Sequence, residues 1–219
     1  MDEKLIYWDS RESLKKAHEA LLQDKLIVGT TDTILGLFSS VTPAGFEALN
    51  RVKGRQEKPY LMLAFCLDVI FSYIDFENLF LIENMLKKFW PGPLTVIFKA
   101  NKQVASLCSS NGTIAFRIPS HQGIQALLKE HKILFSTSAN RSGCPVALSW
   151  KYLDPILKES VEWIIVDREE KQSSEASTLI DCSSLELKDG KRYIKIVRKG
   201  SISAQMIVQA CGRDDIIVE

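Results

Sequence analysis

LIVGTTDTILGLFSSVTPAGFEALNRVKGR, residues 26–55, decides how the chain is read. Leu26–Gly29 is a short apolar run, the pattern of a buried strand, and it ends at a glycine. Gly29-Thr30-Thr31-Asp32-Thr33-Ile34-Leu35-Gly36-Leu37 follows as a turn rich in hydroxyls. Such a turn presents backbone N–H groups and Thr hydroxyls to a small polar ligand, or simply caps itself with Thr and Asp. Thr42-Pro43 is a helix start, a capping hydroxyl followed by proline at the first helical position. Phe46, Leu49 and Val52 give that helix one apolar face. It runs into Lys53-Gly54-Arg55, where glycine allows close approach of an anion between a point charge and a planar fork. A basic helix C-terminus satisfied by the dipole is the plainer reading.

Outward from this unit, strands and helices continue to alternate. A helix is expected over Asp9–Asp24, with Leu14, Ala17, Leu21 and Leu22 on one face and Ser10 as N-cap. Strands are expected at Tyr60–Phe65, Leu94–Lys99, Thr113–Arg117 and Ile133–Ser136, then at Trp163–Val166, Ser177–Ile180 and Tyr193–Val197. Helices are expected at Asn78–Phe89, from a Ser120 cap to His131, at Trp150–Glu159 and at Ser203–Ala210. The alternation predicts an α/β domain. Later strands follow one another with few helices, which favours a mixed sheet over a doubly wound parallel one. Arg168–Ala176 is the most polar stretch and reads as an exposed loop.

Composition excludes several classes. Lys and Arg number 28 against 27 Asp and Glu, a net charge of +1 in 219 residues, so an extended polyanion-binding coat is not expected. The apolar share of 46% supplies a core and excludes a disordered chain. Cysteines at 66, 108, 144, 182 and 211 form no C-x-x-C pair, which fits neither a zinc ribbon nor a disulfide framework. With no apolar N-terminal run and no stretch long enough to span a bilayer, the expectation is a cytoplasmic protein without a membrane partner. There is no H-E-x-x-H, no nucleophile elbow and no P-loop spacing.

Four further groups carry candidate chemistry. Thr113–His121 places Arg117 at the end of an apolar strand, suited to a ligand carboxylate or, more plainly, to a salt bridge at the sheet edge. Its His121 reads as a surface or capping residue. Ser136-Thr137-Ser138-Ala139-Asn140-Arg141-Ser142-Gly143 is a donor-rich loop suited to an oxyanion or phosphate, or an ordinary polar loop. Ser177–Asp181 and Lys195–Gly200 end two late strands in polar and cationic groups. Phe89–Thr95, with Trp90-Pro91-Gly92-Pro93, reads as a rigid turn.

The order of these fragments is more specific than any one of them. T-T-D-T-I-L-G-L, K-G-R followed by P-Y-L-M-L, W-P-G-P-L-T, A-F-R-I-P, S-T-S-A-N-x-S-G, S-T-L-I-D and I-V-R-K-G-S-I, from Leu26 to Ile202, closely resemble the TsaC/YrdC family of threonylcarbamoyl-AMP synthases. The resemblance implies a single domain over 1–219, with a twisted mixed parallel and antiparallel sheet and helices around a concave basic cavity. It implies formation of L-threonylcarbamoyladenylate and pyrophosphate from L-threonine, bicarbonate or carbon dioxide, and ATP. The product would feed a threonylcarbamoyl-transferase complex acting on tRNA, with possible weak tRNA binding by the chain itself. Mg²⁺ would be held mainly by the ATP phosphates, with no protein metal ligands.

Carried over by motif, Lys53 and Arg55 are the catalytic, phosphate-binding pair. Ser138, Asn140 and Arg198 complete the ATP site. Thr31, Thr33, Arg117 and Ser177 form the threonine site. Four positions depart from the family's pattern: Thr30 and Leu35 stand where Pro and Tyr are usual, and Gln56 and Lys199 each stand where Pro is usual. The Leu35 departure removes an aromatic ring from the cavity wall. A structured-RNA-binding module, or an ATP-binding regulator that has lost catalysis, are the competing readings.

Overall fold

In the computed structural model, residues 3–54, 60–75, 79–102, 111–169 and 173–219 are described. The expected strands assemble into a single mixed sheet, eleven-stranded among the described residues. In chain order they are β1 (Leu5–Tyr7), β2 (Ile27–Gly29), β3 (Gly36–Ser39), β4 (Leu61–Ala64), β5 (Leu94–Lys99), β6 (Thr113–Arg117), β7 (Ile133–Ser138), β8 (Trp163–Val166), β9 (Thr178–Asp181), β10 (Arg192–Arg198) and β11 (Ile216–Val218). Their spatial order is β1-β8-β2-β3-β7-β4-β6-β5-β9-β10-β11. Parallel pairs (β1·β8, β2·β8, β4·β6, β5·β9, β10·β11) mix with antiparallel ones (β2·β3, β3·β7, β4·β7, β5·β6, β9·β10). Three strands were not anticipated. β1 and β11 are three-residue edge strands, too short to show a period. β3 begins in the last two residues of the hydroxyl-rich segment that reads as a turn, where it pairs Gly36 with Gly29 and with Ser138.

The helices are α1 (Arg11–Leu22), α2 (Pro43–Lys53), α3 (Leu67–Phe71), α4 (Glu83–Phe89), α5 (Gln122–His131), α6 (Pro155–Ser160) and α7 (Ala204–Cys211). The expected caps at Ser10 and Thr42 hold: their hydroxyls accept from Ser13 N and Gly45 N. The expected Ser120 cap does not. His121 caps α5, its Nδ1 accepting from Ile124 N at 3.3 Å, while the Ser120 hydroxyl turns to Asp32 at 3.0 Å. The weak helix expected from Trp150 divides into a single 3-10 turn, Trp150–Tyr152, and α6, whose cap is Asp154. The short α3 was not anticipated.

Strand side chains alternate between the two faces. One face carries Met62, Val96, Phe116 and Ile180 and packs under α2, α3, α4, α6 and α7 through Leu49, Ile70, Met85, Leu157 and Ile207. The other carries Ile27, Phe38, Leu63 and Leu134 and packs under α1 and α5 through Leu21, Ile124 and Leu128. Each such side chain, fully buried, contributes about 1.5–3 kcal/mol. α1 and α5 cover only part of their face. Beyond the N-terminal end of α5 the outward positions change from Leu and Phe to Thr, Ser, Ala and Arg, and there the sheet floors a cavity.

Candidate functional site: a hydroxyl-lined cavity with two guanidiniums

The cavity encloses about 340 Å³. Its floor follows strand alternation: Thr113, Ala115 and Arg117 of β6, Thr95 and Ile97 of β5, and Ser177 and Leu179 at the start of β9. Its wall is the turn after β2, with Thr31, Thr33 and Leu35, and the end of β7, with Ser136 and Ser138.

Arg117 is 3% exposed. Its Nη1 donates to Asp32 Oδ1 and to Thr33 Oγ1, both at 3.1 Å. Burial pushes this guanidinium below its usual pKa. The Asp32 carboxylate opposes that shift, and the nearby Arg198 charge adds to it. Asp32 Oδ2 accepts from Ser120 N at 3.1 Å and from its hydroxyl. The turn is braced internally as well: Thr31 Oγ1 accepts from Thr33 N at 2.8 Å and donates to Ile34 O at 2.8 Å.

Arg198 stands exposed at the rim, held by its opposite edge. Nε donates to Ser177 O at 3.1 Å and Nη2 to Ser177 Oγ at 2.9 Å. Ser177 Oγ also shares a hydrogen bond with Thr95 Oγ1 at 2.7 Å. The cationic segment reaches this rim because Gly200 lies directly against β9. A Cβ there would meet Ala176 O at 2.3 Å, so only glycine permits the approach. Thr178 fixes it from below, exchanging bonds with Ile202 N and O at 3.0 and 2.9 Å.

Thr31, Thr33, Arg117, Ser138, Ser177 and Arg198, all read from sequence, thus line one cavity. Lys53 and Asn140 stand behind it. The buried Lys53 ammonium donates to Ser138 O at 2.8 Å, to Asn140 O, and to Asn140 Oδ1 at 2.9 Å, and Lys53 O accepts from Ser142 N at 3.1 Å. Gly54 caps α2 at φ 62°, the left-handed turn that ends the helix just after Lys53. Ser138 Oγ bonds Asn140 Oδ1 at 2.6 Å, closing the cluster. Asn140 also lines a second, open cavity of about 480 Å³ with Cys144 and Tyr152. Arg55 and Gln56 lie outside the described residues.

Asp32 and Thr95 were missed as site residues. The signal for Asp32 was its place between Thr31 and Thr33; nothing local marks Thr95 in an apolar strand. The Thr30 departure has a physical reason. Its N–H donates to Ile165 O at 3.1 Å, a bond proline cannot make, and its hydroxyl accepts from Trp8 Nε1 at 2.9 Å and donates to Asp167 Oδ2 at 2.7 Å. Leu35 is fully buried and serves both the cavity wall and the core.

The family model described as "Telomere recombination", covering Sua5, YciO and YrdC proteins, matches residues 19–200. The chain belongs to the Sua5/YciO/YrdC family. Among curated Sua5/YciO/YrdC relatives, the threonylcarbamoyl-AMP synthase of Histophilus somni (strain 2336) is 34% identical over 130 residues, 57% of this chain and 71% of that protein. The threonylcarbamoyl-AMP synthase of Psychromonas ingrahamii is 27% identical over 157 residues, 68% of this chain and 81% of that protein. The fold matches E. coli YciO at a TM-score of 0.76 and 22% identity, over 93% of this chain and 97% of that one. It matches P. abyssi Sua5 complexed with L-threonine at a TM-score of 0.78 and 21% identity. That match covers 96% of this chain, which spans 60% of the P. abyssi protein. No helix among the described residues is long and apolar enough to cross a membrane.

Proposed function

We propose that the chain is a threonylcarbamoyl-AMP synthase, joining L-threonine, bicarbonate or carbon dioxide, and ATP, with release of pyrophosphate. The observation that carries this reading is the pair Arg117 and Arg198 in one hydroxyl-lined cavity beside the Ser138–Asn140 loop, in a chain whose curated relatives bear that name. Arg117 takes the threonine carboxylate. Thr31, Thr33 and Ser177 line the amino-acid end of the cavity. Ser138, Asn140 and Arg198 take the nucleotide, with Arg55 as a phosphate ligand. The threonine amine and carbon dioxide form a carbamate, whose oxygen attacks the α-phosphorus as pyrophosphate leaves. Alignment of the two reactants and fixed positive charge opposite the leaving phosphates supply the rate, and no enzyme nucleophile is needed.

Mg²⁺ is part of the substrate Mg-ATP, where it neutralises phosphate charge. Among the described residues no group of three or more His, Cys, Asp or Glu side chains could hold a metal ion, and Asp32 is held by Arg117 and Ser120. The adenylate would then pass to a transferase complex that modifies tRNA.

The test is pyrophosphate release from folded protein supplied with L-threonine, bicarbonate and Mg-ATP. The expected result is release that depends on threonine. Binding of ATP without threonine-dependent pyrophosphate would overturn the synthase and favour a regulator that has lost catalysis.

A further inference from the structure

Arg117 carries an unusual orphan. Its Nε has no hydrogen-bond partner, and among the described residues it is the one buried side-chain polar atom in that position. Nη1 is committed to Asp32 and Thr33. On a guanidinium, Nε–H and the adjacent Nη2–H form the opposite edge, two parallel donors spaced for the two oxygens of a carboxylate. Asp32 is what selects this edge, and it cannot swing. One of its oxygens takes Nη1, and the other takes both the backbone N–H and the hydroxyl of Ser120 at the entrance to α5. Arg198 is near enough for its charge to oppose that of Arg117. Two cations and one carboxylate leave this part of the cavity one negative charge short of balance.

We propose that Asp32 is a positioning residue for the amino-acid substrate: by pinning Nη1 it presents the Nε–Nη2 edge of Arg117 as a preformed fork for one monoanionic carboxylate. Without it only Thr33 holds Nη1, and more of the ordering falls on the binding step. The proposal rests on the synthase reading for the identity of the amino acid; the geometry of the fork does not depend on the adenylation step.

The experiment compares the full chain with Asp32→Asn and Ser120→Ala. L-threonine binding is measured by titration calorimetry, and turnover by pyrophosphate release. For Asp32→Asn, which keeps the shape and removes the charge, the threonine Kd and KM rise about tenfold, with the change on KM rather than kcat and with the KM for ATP unaltered. L-Threonine amide, lacking the carboxylate, binds wild type more weakly than L-threonine, and Asp32→Asn narrows that ratio. A purely structural role for Asp32 would lower the melting temperature without narrowing it. Ser120→Ala loses one of the two bonds from Ser120 and shows a smaller rise, about two- to threefold. It decides the matter if Asp32→Asn does not fold. An unchanged or lowered threonine Kd in the folded variants overturns the proposal. Wild type that binds L-threonine yet releases no pyrophosphate overturns the synthase and leaves Asp32 judged on Kd. Wild type that binds no L-threonine overturns the role of Asp32 itself.

Discussion

Lys53 shows how a single side chain can be read two ways. In sequence it is the first cation of K-G-R, a phosphate ligand. In the structure the residue is 3% exposed and its ammonium meets three oxygens of the Ser138–Asn140 loop. A lysine that only contacted phosphate could be removed with loss of turnover and little loss of stability. Lys53→Met leaves three half-buried acceptors without their charged donor, so it is expected to cost about 1–3 kcal/mol of stability as well as turnover. Urea denaturation of the variant beside its pyrophosphate assay checks this. Loss of turnover at full stability would return Lys53 to direct phosphate contact. Six of the site residues were legible because the order of their motifs resembles the family's; taken singly, each polar turn or strand end reads equally as a structural cap or surface charge. Asp32 was not, because a carboxylate between two threonines reads equally as a turn cap. Its role depends on where β6 delivers Arg117, 85 residues away in sequence.

α5 holds the turn that carries Thr31 and Thr33, and it does so by close contact with Trp8. A Cβ at Gly123, in the first turn of α5, would lie 2.4 Å from the Trp8 ring. Trp8 in turn donates to Thr30, and Thr30 to Asp167, which accepts from His121 Nε2 at 3.0 Å. Gly123→Ala improves helix propensity by up to about 1 kcal/mol. Overpacking against a fixed indole costs about 1–3 kcal/mol and outweighs it. The variant is expected to melt at lower temperature and to bind threonine more weakly. A melting temperature at or above wild type would show that Trp8 gives way. The helices themselves were legible from caps and periodicity. The move of the α5 cap from Ser120 to His121 was not, because either side chain can satisfy the same N–H groups. Asp32 competes for Ser120, and Asp167 fixes His121.

At the scale of the molecule, α1 meets α5 through two histidines: His18 Nδ1 and His131 Nε2 lie 2.9 Å apart. Burial first, and the His18 charge second, push His131 down to about 4. In the unfolded chain it titrates near its ordinary value of about 6.5. Between those values the unfolded state binds a proton that the folded state refuses, so this contribution is intact above pH ~6.5 and lost as pH falls towards 4. Melting curves across that range are expected to fall more steeply for wild type than for His131→Gln. Equal slopes would remove the pair as an acid-sensitive joint.

By itself the sequence determined most of the element types, two of the caps, the mixed α/β class, and the motifs that become the cavity lining. These follow from side-chain period, capping chemistry and turn residues, all of which act over a few positions. Tertiary structure alone decided that β3 is a strand, since Gly36–Ser39 pairs on both sides only after β2 and β7 flank it. It also decided that Lys53 faces the Ser138–Asn140 loop and that Asp32 aims Arg117. Those outcomes are bonds between groups 85 or more residues apart, and no local pattern encodes which of several equivalent acceptors a buried cation will meet.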